Sequence, residues 1–357
     1  MIEVLKNIHQ VTPEWLTKVL KKKGLINSSV VAVEVEIIGA GVGLMAELAR
    51  LTVTYQTLEN ISSTFVIKCA AQNDNRQIAL ILDFYNREVN FYDRIGNASG
   101  IRVPKTYFAG VDEENYDHTI LMEDLGSNPP PDQLVGASED EAFAAIGLIA
   151  GMHAKYWNNV ADEDWMYQFM SMSEANRLSD MLYMPSLDAA FEKFDACFDD
   201  RTRKICQTVG ERYSDFWFSN ISKSETLIHG DYRQDNFVYP KDGSEVIVMD
   251  WQISGKGKGI FDVTYFICQS LQPELRQSIE KDIIRMWVDN LAKSGVKDYD
   301  FETAYRDYKY LILACLVYPI TVCGSLDPSN ERGRALGECM LTRNLIAIDE
   351  LNCTELF

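Results

Sequence analysis

The stretch His229-Gly230-Asp231-Tyr232-Arg233-Gln234-Asp235-Asn236, followed by an apolar strand signal that ends at Asp250, decides how this chain is read. Phosphoryl transfer asks for positioning and charge neutralisation more than for covalent chemistry. It needs a carboxylate to hold the acceptor hydroxyl and oxygen ligands to keep Mg²⁺ against the phosphates. Asp231 supplies the first and Asn236 an amide ligand from the same loop, while Asp250, delivered by the next strand, supplies a second metal ligand. Either piece alone reads as a solvated turn. Both at this spacing on one hairpin favour the chemical reading.

Working back toward the N-terminus, Phe65-Val66-Ile67-Lys68 sets a lysine at the end of an apolar strand, a position suited to the α- and β-phosphates of a nucleotide. On a helical wheel Ile81, Tyr85, Glu88, Tyr92 and Ile95 fall along one line, so Glu88 sits within an apolar stripe. An unpaired carboxylate there is costly. A salt bridge between Glu88 and Lys68 explains both residues; the alternative is a carboxylate at the stripe's edge reaching water. Gly39, Gly41 and Gly43 lie between two strand-like runs, where glycines let backbone N–H groups approach phosphates. With Leu44 in the sixth position the cluster is not a complete G-x-G-x-x-G, and an ordinary hairpin turn fits it equally well. Its place before the Lys68 strand argues against a dinucleotide fingerprint, which opens a helix after the first strand of a βαβ unit.

The wider pattern predicts two lobes. Thr12-Pro13-Glu14 is a helix start and Gly24 its end, and short Val/Ile/Thr-rich runs from Val30 to Lys68 predict three antiparallel strands. A helix over roughly 76–95 and two more strands, KTYFAG and HTILME, follow. After Gly126 and Pro129-Pro130-Pro131 the periodicity turns helical, apart from a β-rich island at 226–250. The expected division is a nucleotide-binding lobe at 1–124 and a catalytic and acceptor-binding lobe at 125–357.

Composition narrows the partners. With 34 basic against 53 acidic residues the net charge is -19, which repels nucleic acid and anionic membranes. The apolar stretch Leu311 to Cys323, interrupted by Pro319, is shorter than the ~20 residues a bilayer requires and reads as a buried helix. The N-terminus lacks the apolar run and cleavage site of a secretory signal, and the eight cysteines contain no C-x-x-C pair, so a reduced, cytoplasmic protein is expected.

Together these residues resemble the aminoglycoside phosphotransferase and choline kinase superfamily, which includes ecdysteroid-kinase-like proteins, over nearly the whole chain. The segment 227–267, LIHGDYRQDNFVYPKDGSEVIVMDWQISGKGKGIFDVTYFI, is especially similar to the kinase-like domains fused to certain acyl-CoA dehydrogenases. The resemblance implies an α+β, protein-kinase-like two-lobed fold with a small antiparallel sheet and one main helix in the first lobe and a larger, mainly helical second lobe. It implies ATP and Mg²⁺ as cofactors and a small-molecule hydroxyl as acceptor. Asp231 would be the catalytic base, Asn236 and Asp250 the Mg²⁺ ligands, and Lys68 with Glu88 the phosphate-anchoring pair. The backbone of a hinge at Leu121-Met122-Glu123-Asp124-Leu125, notably Glu123 and Leu125, would hydrogen-bond adenine, and Asp262 would brace the active-site loop.

The glycine cluster departs from the protein-kinase form, and no motif marks the acceptor half, 158–225. Trp157, Trp165, Tyr167 and Trp217 with Asp162, Glu163 and Asp164 offer a cage for a cation there; packing and solvated helix faces are the alternative. His153 reads as a packed helix residue. Aminoglycosides, choline-like compounds, sterol-like alcohols and hydroxyacyl compounds all stay open as acceptors. The rival from another class is a nucleotide-binding pseudokinase that acts as a regulatory module. A protein kinase is disfavoured because Asp250 is followed by Trp251-Gln252 in place of Phe-Gly.

Overall fold

A computed structural model describes residues 2–38, 46–73, 75–126, 131–160, 166–219, 221–240, 245–326 and 330–357. The chain divides into two compact units, Met1–Pro129 with Pro240–Ile253, and Pro130–Tyr239 with Ser254–Phe357. The strands among the described residues are β1 (Val30–Ile38), β2 (Ala46–Tyr55), β3 (Thr64–Ala70), β4 (Thr106–Asp112), β5 (Asp117–Glu123), β6 (Thr226–Ile228), β7 (Phe237–Val238), β8 (Ile247–Val248) and β9 (Gly255–Gly257).

The first unit opens with α1 (Pro13–Lys22), whose start and stop follow the sequence signals. The Thr12 hydroxyl accepts the Trp15 N–H at 3.1 Å, and Gly24 leaves the helix at φ +67°. The helix buries Trp15, Leu16, Val19 and Leu20 in the core of a five-stranded sheet ordered β1-β2-β3-β5-β4, all neighbours antiparallel. The three predicted strands are present. What local pattern did not specify is that β5 inserts beside β3, which makes β3 the central strand and sets Lys68 between Leu48 and Ile120.

The helix expected over 76–95 is broken. It runs as α2 (Asn75–Ile81), a left-handed residue at Asp83 (φ +56°), α3 (Phe84–Asn90) and a π-helical turn at Phe91–Ile95. The break removes Ile81 from the stripe and leaves it exposed, while Tyr85, Glu88 and Tyr92 stay buried. Sequence reading placed Asp250 in the second lobe; by packing, Pro240–Ile253 groups with the first unit. There Ile247 bridges to Arg102, whose carbonyl accepts the Val248 N–H at 2.9 Å.

In the second unit α4 (Glu139–Tyr156) begins with a reciprocal capping box between Ser138 and Glu141. It is followed by α5 (Met172–Leu178), α6 (Met184–Lys193), α7 (Asp200–Glu211), α8 (Asp215–Phe218), α9 (Gly259–Ser270), α10 (Pro273–Lys293), α11 (Phe301–Ala314), α12 (Val317–Ser325) and α13 (Glu331–Glu350). Every residue of α9 is buried, the polar Asp262, Thr264, Gln269 and Ser270 among them. It packs against α4, α10, α11, α13 and β6 and forms the axis of this unit. Strand β9, with the sequence GKG, carries no β-propensity and was not anticipated. It pairs with β6 because glycine permits close approach: a Cβ at Gly257 would lie 2.5 Å from the Ile228 side chain. The apolar stretch Leu311 to Cys323 divides between α11 and α12. By length and composition Phe301–Ser325 is apolar enough to cross a bilayer, yet 61% of its apolar 18-residue window is buried within the fold.

Candidate active site

In the first unit, a single buried ammonium gathers two carboxylates. Lys68 Nζ lies 2.8 Å from Glu88 Oε1 and 3.0 Å from Asp250 Oδ1. Lys68 is 6% exposed and Glu88 1%, so water does little to screen their attraction. Burial pulls the lysine's pKa down, but the charges of Asp250 and Glu88 outweigh it and hold the ammonium above its ordinary range. Burial pushes Glu88 up to about 7; Lys68 opposes the rise and Asp250 adds to it. The expected partnership of Lys68 and Glu88 is therefore present, and the bond from Lys68 to Asp250 had not been foreseen.

Asp250 adopts a left-handed backbone, φ +60°, unusual for a residue with a side chain. The next residue, Trp251, is fully buried and stacks on Phe91. The strained turn separates a polar Asp250, whose side chain remains 32% exposed, from an anchored indole. Glu123 ends β5 with its carboxylate held by both oxygens at 2.8 Å to Arg102, and Asp124 pairs with Arg50 at 3.0 Å. These side chains are engaged within the unit, and Leu125 is half-buried beside them. Gly39, Gly41 and Gly43 lie outside the described residues.

In the second unit, the loop bearing Asp231 is tied down residue by residue. The buried carboxylate of Asp262, on α9, accepts the N–H groups of His229 at 2.7 Å and of Gly230 at 2.8 Å. Gly230 is at φ +86°, and its carbonyl accepts the Tyr318 hydroxyl. Tyr232 is fully buried and donates to the Ala145 carbonyl of α4. Anchored on both sides, the Asp231 side chain meets two neighbours from its own loop. The Asn236 amide nitrogen donates to its Oδ2 at 3.0 Å and to its carbonyl at 2.8 Å, and Arg233 Nε lies 3.2 Å from Oδ1. With the amide nitrogen turned to Asp231, the Asn236 oxygen is the atom left to face a metal. Asp231 is thus a partly exposed carboxylate held at a fixed angle by a guanidinium and an amide.

Two of the aromatics proposed for a cation cage are engaged in packing. Trp217 is buried against Phe169 and Phe261, and Trp157 packs edge-on against Trp287 and Tyr299. Asp162, Glu163, Asp164 and Trp165 lie outside the described residues. Sequence reasoning missed Arg233, although it stands two positions from Asp231. His153, read as a packed helix residue, is fully buried on α4, and it bonds to Asp262 through Nε2 at 3.2 Å. The signal for His153 was its polarity at a buried position of an otherwise apolar helix face.

A small antiparallel sheet with one buried Lys–Glu pair, and a helical unit with an Asp-x4-Asn loop braced from its central helix, define a kinase-like phosphotransferase fold. The chain belongs to the ecdysteroid kinase-like family, whose family model matches residues 40–298. It is 27% identical over 123 residues to mouse acyl-CoA dehydrogenase family member 10, a match covering 30% of this chain and 12% of that protein's length. Among solved structures, choline kinase from Cryptosporidium parvum Iowa II superposes with a TM-score of 0.57 at 11% identity, covering 97% of this chain and 98% of that one. The GDP complex of wild-type aminoglycoside 2'-phosphotransferase-IIIa gives 0.53 at 12% identity, covering 96% and 99%. Amicoumacin kinase with AMP-PNP and Ca²⁺ gives 0.52 at 15%, covering 95% and 96%. At these identities the likeness establishes the fold.

Proposed function

We propose that this chain is an ATP-dependent O-phosphotransferase that moves the γ-phosphoryl group to a hydroxyl of a small molecule, with Asp231 as the catalytic base. The observation that carries the reading is Lys68, buried and held between Glu88 and Asp250. A cation placed at such cost inside a core needs a purpose beyond stability, because a buried ion pair is a weak stabiliser. Contact with the α- and β-phosphates supplies that purpose. The backbone of Glu123 and Leu125 would receive the adenine, and Gly39, Gly41 and Gly43 would lie along the phosphates.

The donor set suits Mg²⁺. Asp250 offers a carboxylate and Asn236 an amide oxygen, both hard ligands of the kind Mg²⁺ prefers. Bound there, the ion would neutralise charge on the phosphate oxygens. Asp231 orients the acceptor hydroxyl and takes its proton as the oxygen bonds to the γ-phosphorus and the bond from that phosphorus to the bridging oxygen breaks, releasing ADP. Asn236 and Arg233 keep the carboxylate aimed, so little reorganisation accompanies the transfer.

The test is ADP formation measured with Mg²⁺·ATP across a library of hydroxylated compounds, covering aminoglycosides, choline-like cations, sterol-like alcohols and hydroxyacyl compounds. Acceptor-dependent ADP release that Asp231→Asn lowers by about 10² to 10⁴ is the expected result. Saturable nucleotide binding with no acceptor in the library would favour a regulatory pseudokinase instead.

A further inference from the structure

We propose that His153 is a positioning residue for the Asp231 loop, and that the indole of Trp287 fixes the imidazole tautomer in which it does so. The inference rests on reading Asp231 as the catalytic carboxylate. It starts from the hydrogen-bonding capacity of three side chains with no solvent exposure: Trp287 on α10, His153 on α4 and Asp262 on α9.

An indole N–H can only donate. Trp287 Nε1 lies 3.1 Å from His153 Nδ1, so Nδ1 is the acceptor and the ring proton resides on Nε2. Nε2 then donates to Asp262 Oδ2 at 3.2 Å. The same Oδ2 takes the His229 N–H, and Oδ1 takes the Gly230 N–H. Asp262 is thus met by three N–H donors, two from the residues directly before Asp231 and one from His153.

A histidine that merely fills space would have no reason to satisfy both nitrogens with groups of opposite capacity. Here a donor-only neighbour and an acceptor-only neighbour leave a single tautomer. Gly259 is what lets the ring sit this close to α9, since a Cβ placed there would lie 3.0 Å from its Nδ1. The backbone of His153 is tied as well, its carbonyl accepting the Thr226 hydroxyl at 2.7 Å at the start of β6, the strand that leads into the loop. The chain Trp287–His153–Asp262 moves no proton. It holds the Asp262 carboxylate at one angle, and so the two amides that deliver Asp231.

The test combines imidazole ¹⁵N spectroscopy, simple in a protein with four histidines, with amide exchange of the 229–230 segment and ADP-forming turnover. Wild-type His153 should show the Nε2–H tautomer alone. Trp287→Phe keeps an aromatic ring and removes the donor. It should admit the second tautomer, speed exchange at 229–230, and lower kcat roughly 10- to 100-fold with KM for ATP unchanged. His153→Gln, which still offers an N–H to Asp262, should retain more turnover than His153→Leu. Should either His153 variant fail to fold, Trp287→Phe alone decides. An Nδ1–H tautomer in the wild type, or unaltered exchange and turnover in Trp287→Phe, overturns the proposal. Tautomer and exchange need no acceptor. If both behave as expected while no compound is phosphorylated by the wild type, the failure lies with the phosphotransferase reading.

Discussion

Trp251 lies face to face on Phe91, their ring centroids 3.8 Å apart and their planes within 5° of parallel. Phe91 stands three residues after Glu88 and Trp251 directly after Asp250, so one stack joins the two segments whose carboxylates share Lys68. The indole N–H also donates to the Val248 carbonyl at 3.1 Å, which fixes the ring's rotation. Trp251→Ala should cost about 3–5 kcal/mol of first-unit stability and weaken ATP binding, whereas Trp251→Phe should keep most of both. Thermal unfolding and nucleotide titration check this; equal losses in the two variants would show that ring stacking is not the coupling.

Removing the cation should expose the cost of the buried anion. Lys68→Met leaves Glu88 unpaired in the core, a loss of about 3–5 kcal/mol, and drives its already raised pKa higher. A carboxyl with a raised folded pKa contributes stability at low pH that is lost as pH climbs through that value. The variant's melting temperature should therefore fall more steeply than the wild type's between pH 6 and 8. A pH-independent deficit would contradict the ion pair.

Asp231→Asn keeps the shape of the loop and removes the proton acceptor. Turnover should drop by about 10² to 10⁴ while ATP affinity stays near the wild-type value. Steady-state kinetics with an identified acceptor measure both, and undiminished kcat would remove Asp231 from the chemistry.

His118, on β5, is fully buried and stacked on Tyr85 at 4.1 Å, and neither ring nitrogen has a hydrogen-bond partner among the described residues. Burial, with the charges of Lys68 and Arg76, holds its pKa well below 6.5. The folded state thus keeps the ring neutral while the unfolded chain takes up a proton below that value. Stability is fully present above pH 6.5 and should be lost at up to about 1.4 kcal/mol per unit as the pH falls below it. His118→Phe should flatten that acid limb. Denaturant titrations at pH 5 and 7 compare the two proteins, and parallel slopes would acquit the histidine.

Much of this was legible in the sequence because the controlling forces are local. Thr12, Pro13 and Gly24 set the limits of α1 through caps and φ preferences that need no distant partner. The Val/Ile-rich runs gave β1 to β3, and the position of Glu88 within an apolar stripe announced a buried counter-ion. The helix over 76–95 was read as continuous because periodicity weighs a window as a whole. A single left-handed residue at Asp83 resets the phase and returns Ile81 to solvent.

Sequence alone thus settled strands β1 to β5, the limits of α1 and the charged residues that must find partners, since these follow from the intrinsic preferences of neighbouring residues. Tertiary packing alone decided that β5 lies beside β3, that Asp250 reaches Lys68 across 182 positions, and that His153 braces Asp262 across 109. Such pairings depend on which surfaces meet when apolar area is buried. No short-range pattern encodes that outcome, because the free energy of each contact is realised only when the whole core has closed around it.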